Sequence, residues 1–291
     1  MLFIPITVCA AAFQVARNAL QRGLVGDAGP WGATLVRFLF GLPFSLLFLA
    51  VAWGLAPVTP HFTVTFWVGA ALGAFAQIAA TGALLVAMHR SGFALGAAFQ
   101  QSSLPLAAVA GLAIGESPGP WGWLGLALTT AGLLALSWPK RVGGKLDWGG
   151  AVFGLISGAC YAIALNAYRV AGLQVAPHHP VVAALFTTST TQAMQTLGLG
   201  AWLALTSRRS LVAVIAAWKS SLGAGFFGAA ASALWLTALA LAPAAPVRAV
   251  GVIEMPLSAI AGRRMFAERL TLRQLTLGAL VTVGVVLATI G

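Results

Sequence analysis

Glu254 stands mid-way along an apolar stretch, two residues before Pro256, and of the five carboxylates in the sequence it alone avoids a helix end or a loop. A carboxylate in such a place either binds a cation, such as a substrate ammonium group or a coupling proton, or is held permanently by a basic partner. Arg17, Arg37, Arg169 and Arg248 lie inside similar apolar stretches, and any of them can be that partner. Both readings are open on the sequence alone.

Polar residues recur at helical spacing elsewhere. Gln14, Arg17, Asn18 and Gln21 fall three and four residues apart, which makes one polar stripe on an otherwise apolar helix. Arg17 is placed to take a carboxylate by a bidentate bond, while Asn18 and Asn166 either frame a binding site or bond between helices. Gln100, Gln101, Ser102 and Ser103 form a polar run before Pro105; Gln77 and Thr81 share one helical face, as do Ser232 and Trp235. With Tyr161 as a stacking wall, these groups offer amide, hydroxyl and aromatic surface to a small zwitterion. Pro105 and Pro256 each remove a backbone hydrogen bond inside a helix, so they read as hinges or as static kinks.

Other chemistries lack their residues. His178 and His179 are adjacent, point apart on a helix and have no acidic or Cys partner nearby, while His61 and His89 sit at helix ends. Cys9 and Cys160 belong to no CxxC spacing, and neither an HExxH nor a GxxxxGK[ST] motif occurs. No metal and no cofactor are expected. An intramembrane enzyme is a rival from another class, but isolated Asp27 and Asp147 give it no acidic pair.

The elements that must position these residues follow from composition. The 291 residues are 60% hydrophobic and 7% charged, with mean hydropathy +0.95, more apolar surface than one soluble core can hide. Lipid is the solvent for the excess. Breaks at Gly, Pro and charged clusters leave ten spans of about 20 residues or more, near 2–23, 30–53, 63–88, 92–114, 119–138, 147–172, 180–206, 212–241, 244–266 and 271–290. The first run reads as a spanning helix rather than a removable leader. A net charge of +11 resides in short loops and forms no stripe on a soluble domain, so it does not mark a nucleic-acid binder. Arg22, Arg90, Lys140, Arg141, Lys145, Arg208, Arg209, Lys219, Arg263, Arg264, Arg269 and Arg273 all fall on one side of a ten-span topology, which puts that side in the cytoplasm and both termini outside.

An internal repeat divides the chain. Pro105–Gly111 reads PLAAVAG and Pro256–Gly262 reads PLSAIAG, identical at five of seven positions; each is followed by an acidic residue, Glu116 or Glu268, and a final apolar helix with Gly132 or Gly284. Arg17-Asn18-Ala19 likewise matches Leu165-Asn166-Ala167. Five spans per repeat is an odd number, so the second copy enters the membrane from the opposite side. The expected fold is an all-α integral membrane protein of ten transmembrane helices, two inverted five-helix repeats (1–145 and 146–291) forming one unit around a central cavity. Ser103 is the repeat counterpart of Glu254, and the two are expected to face each other there.

On Arg37-Phe38 in the second span, and on the Pro, apolar run and acidic ending at Pro105–Glu116 and again at Pro256–Glu268, the chain resembles the drug/metabolite transporter superfamily, EamA type. Within it the likeness is to bacterial amino-acid exporters, including those that handle aromatic residues. The resemblance implies a multi-pass protein of the bacterial inner membrane that moves a small polar solute, an amino acid foremost, by alternating access through a cavity lined by spans 1, 3, 4, 6, 8 and 9. Proton or gradient coupling without ATP hydrolysis belongs to the same implication, with drugs, nucleosides or sugar phosphates as alternative cargo. Members usually keep both termini in the cytoplasm, the reverse of what the loop charges give here. A structural or receptor role is the third class.

Overall fold

A computed structural model describes residues 2–106, 119–136, 140–142, 145–242 and 244–290. The remainder of the PLAAVAG motif beyond Leu106, with Glu116, lies outside the described residues, as do the ends expected for the fourth and fifth spans.

The first helix, α1 (Phe3–Leu39), has a single non-helical residue, Gly29, at φ 72°, ψ 170°. Only glycine takes that conformation cheaply, and the following Pro30 needs no amide partner in the first turn of the second arm. Gln21 Nε2 donates to Ala33 O at 2.7 Å, whereas twelve residues of straight helix would separate them by about 18 Å. The two arms are therefore folded against each other, and the loop expected between the first two spans is replaced by one glycine. The second arm continues past Gly41 into α2 (Leu42–Leu55).

Next come α3 (Val64–Ser91), capped by the Thr63 hydroxyl and stopped at Gly92 with φ 95°, and α4 (Phe93–Gln100). Beyond α4 the bonds tighten to three-residue spacing, Gln101 N to Ala98 O, Ser102 N to Phe99 O and Leu104 N to Gln101 O, because Pro105 cannot donate to Gln101 O. After α5 (Pro120–Leu136), the strands β1 (Lys140–Val142) and β2 (Lys145–Asp147) form a small antiparallel hairpin. It leads into α6 (Gly149–Val175) and α7 (Pro180–Thr206). The span expected over 212–241 is split into a short amphipathic α8 (Arg208–Ala216) and α9 (Trp218–Leu241). Then α10 (Ala244–Val250) passes through a 3-10 turn at Gly251–Ile253 into α11 (Glu254–Phe266), and α12 (Leu272–Ile290) follows.

Small residues set the closest approaches. Gly150, Gly154 and Gly158 recur every four residues on α6 and meet Ser91, Phe99 and Ser102 of the α3–α4 segment, where any Cβ would collide. Principal pairings are α3 with α6, α1 with α9 and α5 with α12.

Large apolar side chains face outward while several charged and polar ones are buried among the apolar core. Leu55, Val64, Phe75, Leu197 and Leu205 are at least 73% exposed, while Gln14, Arg17, Gln21, Arg37, Thr81 and Glu254 are at most 5% exposed. Among the described residues four helical runs are long and apolar enough to cross a bilayer: Phe3–Leu55, Val64–Ser91, Gly149–Val175 and Trp218–Leu241. Two shorter apolar helices, Pro120–Leu136 and Leu272–Leu287, accompany them. Apart from its hairpin the described chain is helical, with an apolar exterior and buried charged groups confined to a cluster inside an otherwise apolar core, an arrangement compatible with a membrane-embedded protein.

Candidate functional site

The polar stripe of α1 faces inward over its whole length: Gln14, Arg17, Asn18 and Gln21 are all buried. Gln14 Nε2 donates to Glu254 Oε1 at 2.8 Å, which ties the first turns of α1 to the first residue of α11. Arg248 Nη1 approaches the same oxygen at 3.6 Å, and its Nη2 donates to Gln101 Oε1 at 3.1 Å. Its guanidinium carbon lies 5.2 Å from the centre of the Trp235 ring. Of the four arginines available from the sequence, Arg248 is thus the one that pairs with Glu254. Arg169 instead donates to the carbonyls of Leu239 at 2.5 Å and Ala242 at 2.7 Å, closing the end of α9.

Arg17 and Arg37 lie on the two arms of α1 and meet across Gly228 of α9, where a Cβ would sit 3.4 Å from Arg17 Cδ and 3.5 Å from Arg37 Cβ. Arg17 is held by its neighbour, donating from Nε at 3.1 Å and from Nη2 at 2.6 Å to Asn18 Oδ1. Arg37 donates to Thr81 Oγ1 at 3.1 Å and to Ser232 Oγ at 3.2 Å, and Thr81 in turn shares a hydrogen bond of 3.2 Å with the Tyr161 hydroxyl. A second layer joins α3, α6 and α7: Tyr168 donates to Gln77 Oε1 at 3.0 Å, and Gln195 Nε2 donates to that oxygen at 2.8 Å.

Gln14, Arg17, Arg37, Gln77, Gln100, Tyr161, Tyr168, Ser232, Trp235 and Arg248 surround one interior cavity, whose room for water centres is ≈ 20 Å³. That is space for about one water molecule, far below the roughly 300–1,000 Å³ of a small-molecule pocket. The site is closed around itself in this conformation. Larger hollows lie on the outside, between α3 and α6 (≈ 710 Å³) and among α4, α11 and α12 (≈ 400 Å³), and their walls are almost wholly apolar.

Ten of the twelve solute-contacting residues expected from the sequence come together. Gln14, Arg17, Gln77, Gln100, Tyr161, Ser232 and Trp235 line the cavity, and Thr81, Asn18 and Glu254 bond to its walls. Two do not. Asn166 donates to Ala162 O at 2.9 Å on its own helix and opens into the outer groove beside α3. Ser103 is buried, its hydroxyl has no partner, and its backbone packs against Gly158; Gln101, two residues earlier, is the group that reaches the Glu254 pair. Gln101–Leu104 is a tightened segment directly before Pro105, and the tightened Gly251–Ile253 ends three residues before Pro256. Tyr168 and Gln195 were not anticipated, although the sequence holds two tyrosines, seven residues apart on one helical face, and a polar run from Thr187 to Gln192. Among the described residues no group of three or more His, Cys, Asp or Glu has the arrangement to hold a metal ion.

No protein-family model matches this chain, and no curated protein matches it. One solved crystal structure of a protein aligns with 98% of this chain and 96% of its own, at TM-score 0.57 and 18% sequence identity. A likeness at that identity speaks for the fold alone: nearly the whole chain follows a helical path already seen in a crystal.

Proposed function

We propose that this chain is a secondary transporter of the drug/metabolite type, which carries a small polar solute, an amino acid foremost, across a bacterial inner membrane by alternating access. The observation that carries this reading is the buried cluster of Gln14, Arg17, Arg37, Arg248 and Glu254 around a closed cavity. A charged group at mid-membrane costs about 2.5–3.5 kcal/mol on insertion scales, so four in one place need a use beyond packing.

In this reading the chain forms ten spans, 3–28, 30–55, 64–91, a fourth starting at 93, 120–136, 149–175, 180–206, 218–241, 244–266 and 272–290, arranged as two inverted halves. The packing supports the halves. The first arm of α1 meets α9 at Phe13–Phe227 and Leu20–Gly223, and exchanging each span for the one five places on turns that pairing into α6 with α3 and leaves α5 with α12 unchanged. A Cβ on Gly132 would lie 2.7 Å from Val281, and one on Gly284 would lie 2.6 Å from the Thr129 backbone nitrogen. Gly132 and Gly284 are 152 residues apart, and so are Thr129 and Val281. Reciprocal contacts of this kind are what a two-fold relation between repeats produces.

Closure on both sides of the cavity supports a state between inward and outward openings. At one end Arg22 Nη1 meets Glu268 Oε1 at 2.6 Å, while Glu268 accepts the backbone N–H of Phe93 and Ala94 at the start of α4. At the other, Arg169 binds the last carbonyls of α9. Solute entry would break one of these ties and lift α1 or α11 away, using the tightened segments before Pro105 and Pro256 as bending points.

Uptake of a labelled amino-acid panel by inverted membrane vesicles, with and without a proton gradient, tests the proposal. Gradient-dependent accumulation of at least one member supports it. Absence of flux for every solute tried, with the protein folded and inserted, contradicts transport and favours a structural or receptor role.

A further inference from the structure

The cavity has more positive charge than the described side chains neutralise. Arg17, Arg37 and Arg248 are 1%, 1% and 3% exposed, and Glu254 is the one buried carboxylate among the described side chains. Arg248 and Gln14 already hold it. Arg17 and Arg37 have neutral partners, Asn18, Thr81 and Ser232, and Glu268 is engaged by Arg22. Three guanidinium charges against one carboxylate leave two positive charges in an apolar body, with Arg17 and Arg37 side by side across Gly228. Like charges so placed repel, and neutral hydrogen-bond partners offset only part of each desolvation cost.

Unpartnered hydrogen-bond donors at the cavity outnumber its unpartnered acceptors three to one, the one acceptor being Gln100 Oε1. Arg37 Nε, Arg248 Nε and the Trp235 indole N–H are buried without a partner, and all three side chains line the cavity. Missing negative charge and missing acceptors are supplied together by an anion, since carboxylates take the planar fork of arginine bidentately.

A neutral zwitterion does not correct this balance, because it brings an ammonium group with its carboxylate. We infer that the site selects solutes of net negative charge, specifically small organic acids with two carboxylates, acidic amino acids among them. The inference rests on the transport reading for its context and deepens it by naming the substrate class.

Thermal stabilisation of the purified full chain in detergent, at matched ionic strength, separates the classes, because anything bound only to the folded state raises its melting temperature. The probes are succinate, glutamate, leucine and chloride. Succinate is expected to stabilise most, glutamate less and leucine not at all. Arg37→Gln should weaken succinate binding by at least about tenfold, and Arg37→Lys, which keeps the charge and loses the fork, by an intermediate factor. If Arg37→Gln does not fold, Arg17→Gln takes its place. Equal stabilisation by leucine and succinate, or a succinate effect untouched by these variants, overturns the inference. So does an equal effect of chloride, which would mean an adventitious ion only. Binding in detergent needs no flux: succinate binding without transport sinks the transport reading alone, and leucine transport without succinate binding sinks this one alone.

Discussion

Gln14 Nε2 donates to Glu254 Oε1 at 2.8 Å across 240 residues of sequence. The bond joins the polar stripe of the first helix to the carboxylate that follows the Gly251–Ile253 turn, and so couples two elements that alternating access would have to separate. Glu254→Gln keeps the size of the side chain and an oxygen for Gln14 but removes the charge opposite Arg248. Leaving a buried charge unpaired typically destabilises by about 3–5 kcal/mol, and solute flux should fall at least about tenfold. Wild-type flux with unchanged pH dependence, at full expression, would remove Glu254 from the mechanism.

Gly284 faces the Thr129 nitrogen at 2.6 Å and the Gly125 carbonyl oxygen at 2.8 Å from where a Cβ would stand, backbone that cannot swing away as a side chain can. Gly284→Ala should therefore destabilise by about 1–3 kcal/mol through overpacking, read as a fall in melting temperature in detergent. Gly223→Ala, opposite the flexible end of Leu20 at 3.2 Å, should be milder. Equal effects at the two positions would contradict the close α5–α12 crossing.

Arg22 and Glu268 are 17% and 19% exposed, so their pair is partly screened and worth about 1 kcal/mol. Arg22→Gln should shift the balance between closed and open forms of this end about fivefold toward open. The shift is measurable as faster labelling of a cysteine placed at Ser91, and in wild type the same labelling should quicken with added salt. Labelling rates that ignore both changes would show that the pair does not hold this end shut.

Arg169 ties the end of α9 and is not one of the residues that line the cavity. Arg169→Met should lower the melting temperature while leaving the relative preference among solutes unchanged, because the Leu239 and Ala242 carbonyls lose their donor and no cavity wall changes. An altered solute preference would place Arg169 in the binding machinery.

Much of this site was legible in the sequence because polar groups in apolar helices have few places to go. The three- and four-residue spacing of Gln14, Arg17, Asn18 and Gln21 can only make one face, and that face is buried. Ser103 failed for a physical reason: the bonds from Gln101 to Leu104 tighten to three-residue spacing ahead of Pro105, which turns each residue by about 120° rather than 100°. Counting from the repeat assumed a regular helix, whereas Gln101 is the group that bonds the Arg248 paired with Glu254. The folding of α1 on Gly29 was hidden because a positive φ leaves no mark beyond the glycine itself, and Asn166 was misjudged because a side-chain bond back to Ala162 satisfies it locally.

Accessibility of Ser232→Cys, in a chain with Cys9 and Cys160 replaced, reads whether the cavity opens to both sides, since Ser232 lines it and bonds Arg37. With membrane-impermeant thiol reagents, alternating access requires labelling from either face of the membrane, in populations that solute and gradient shift in opposite directions. Labelling from one face alone under every condition would contradict alternating access through this site.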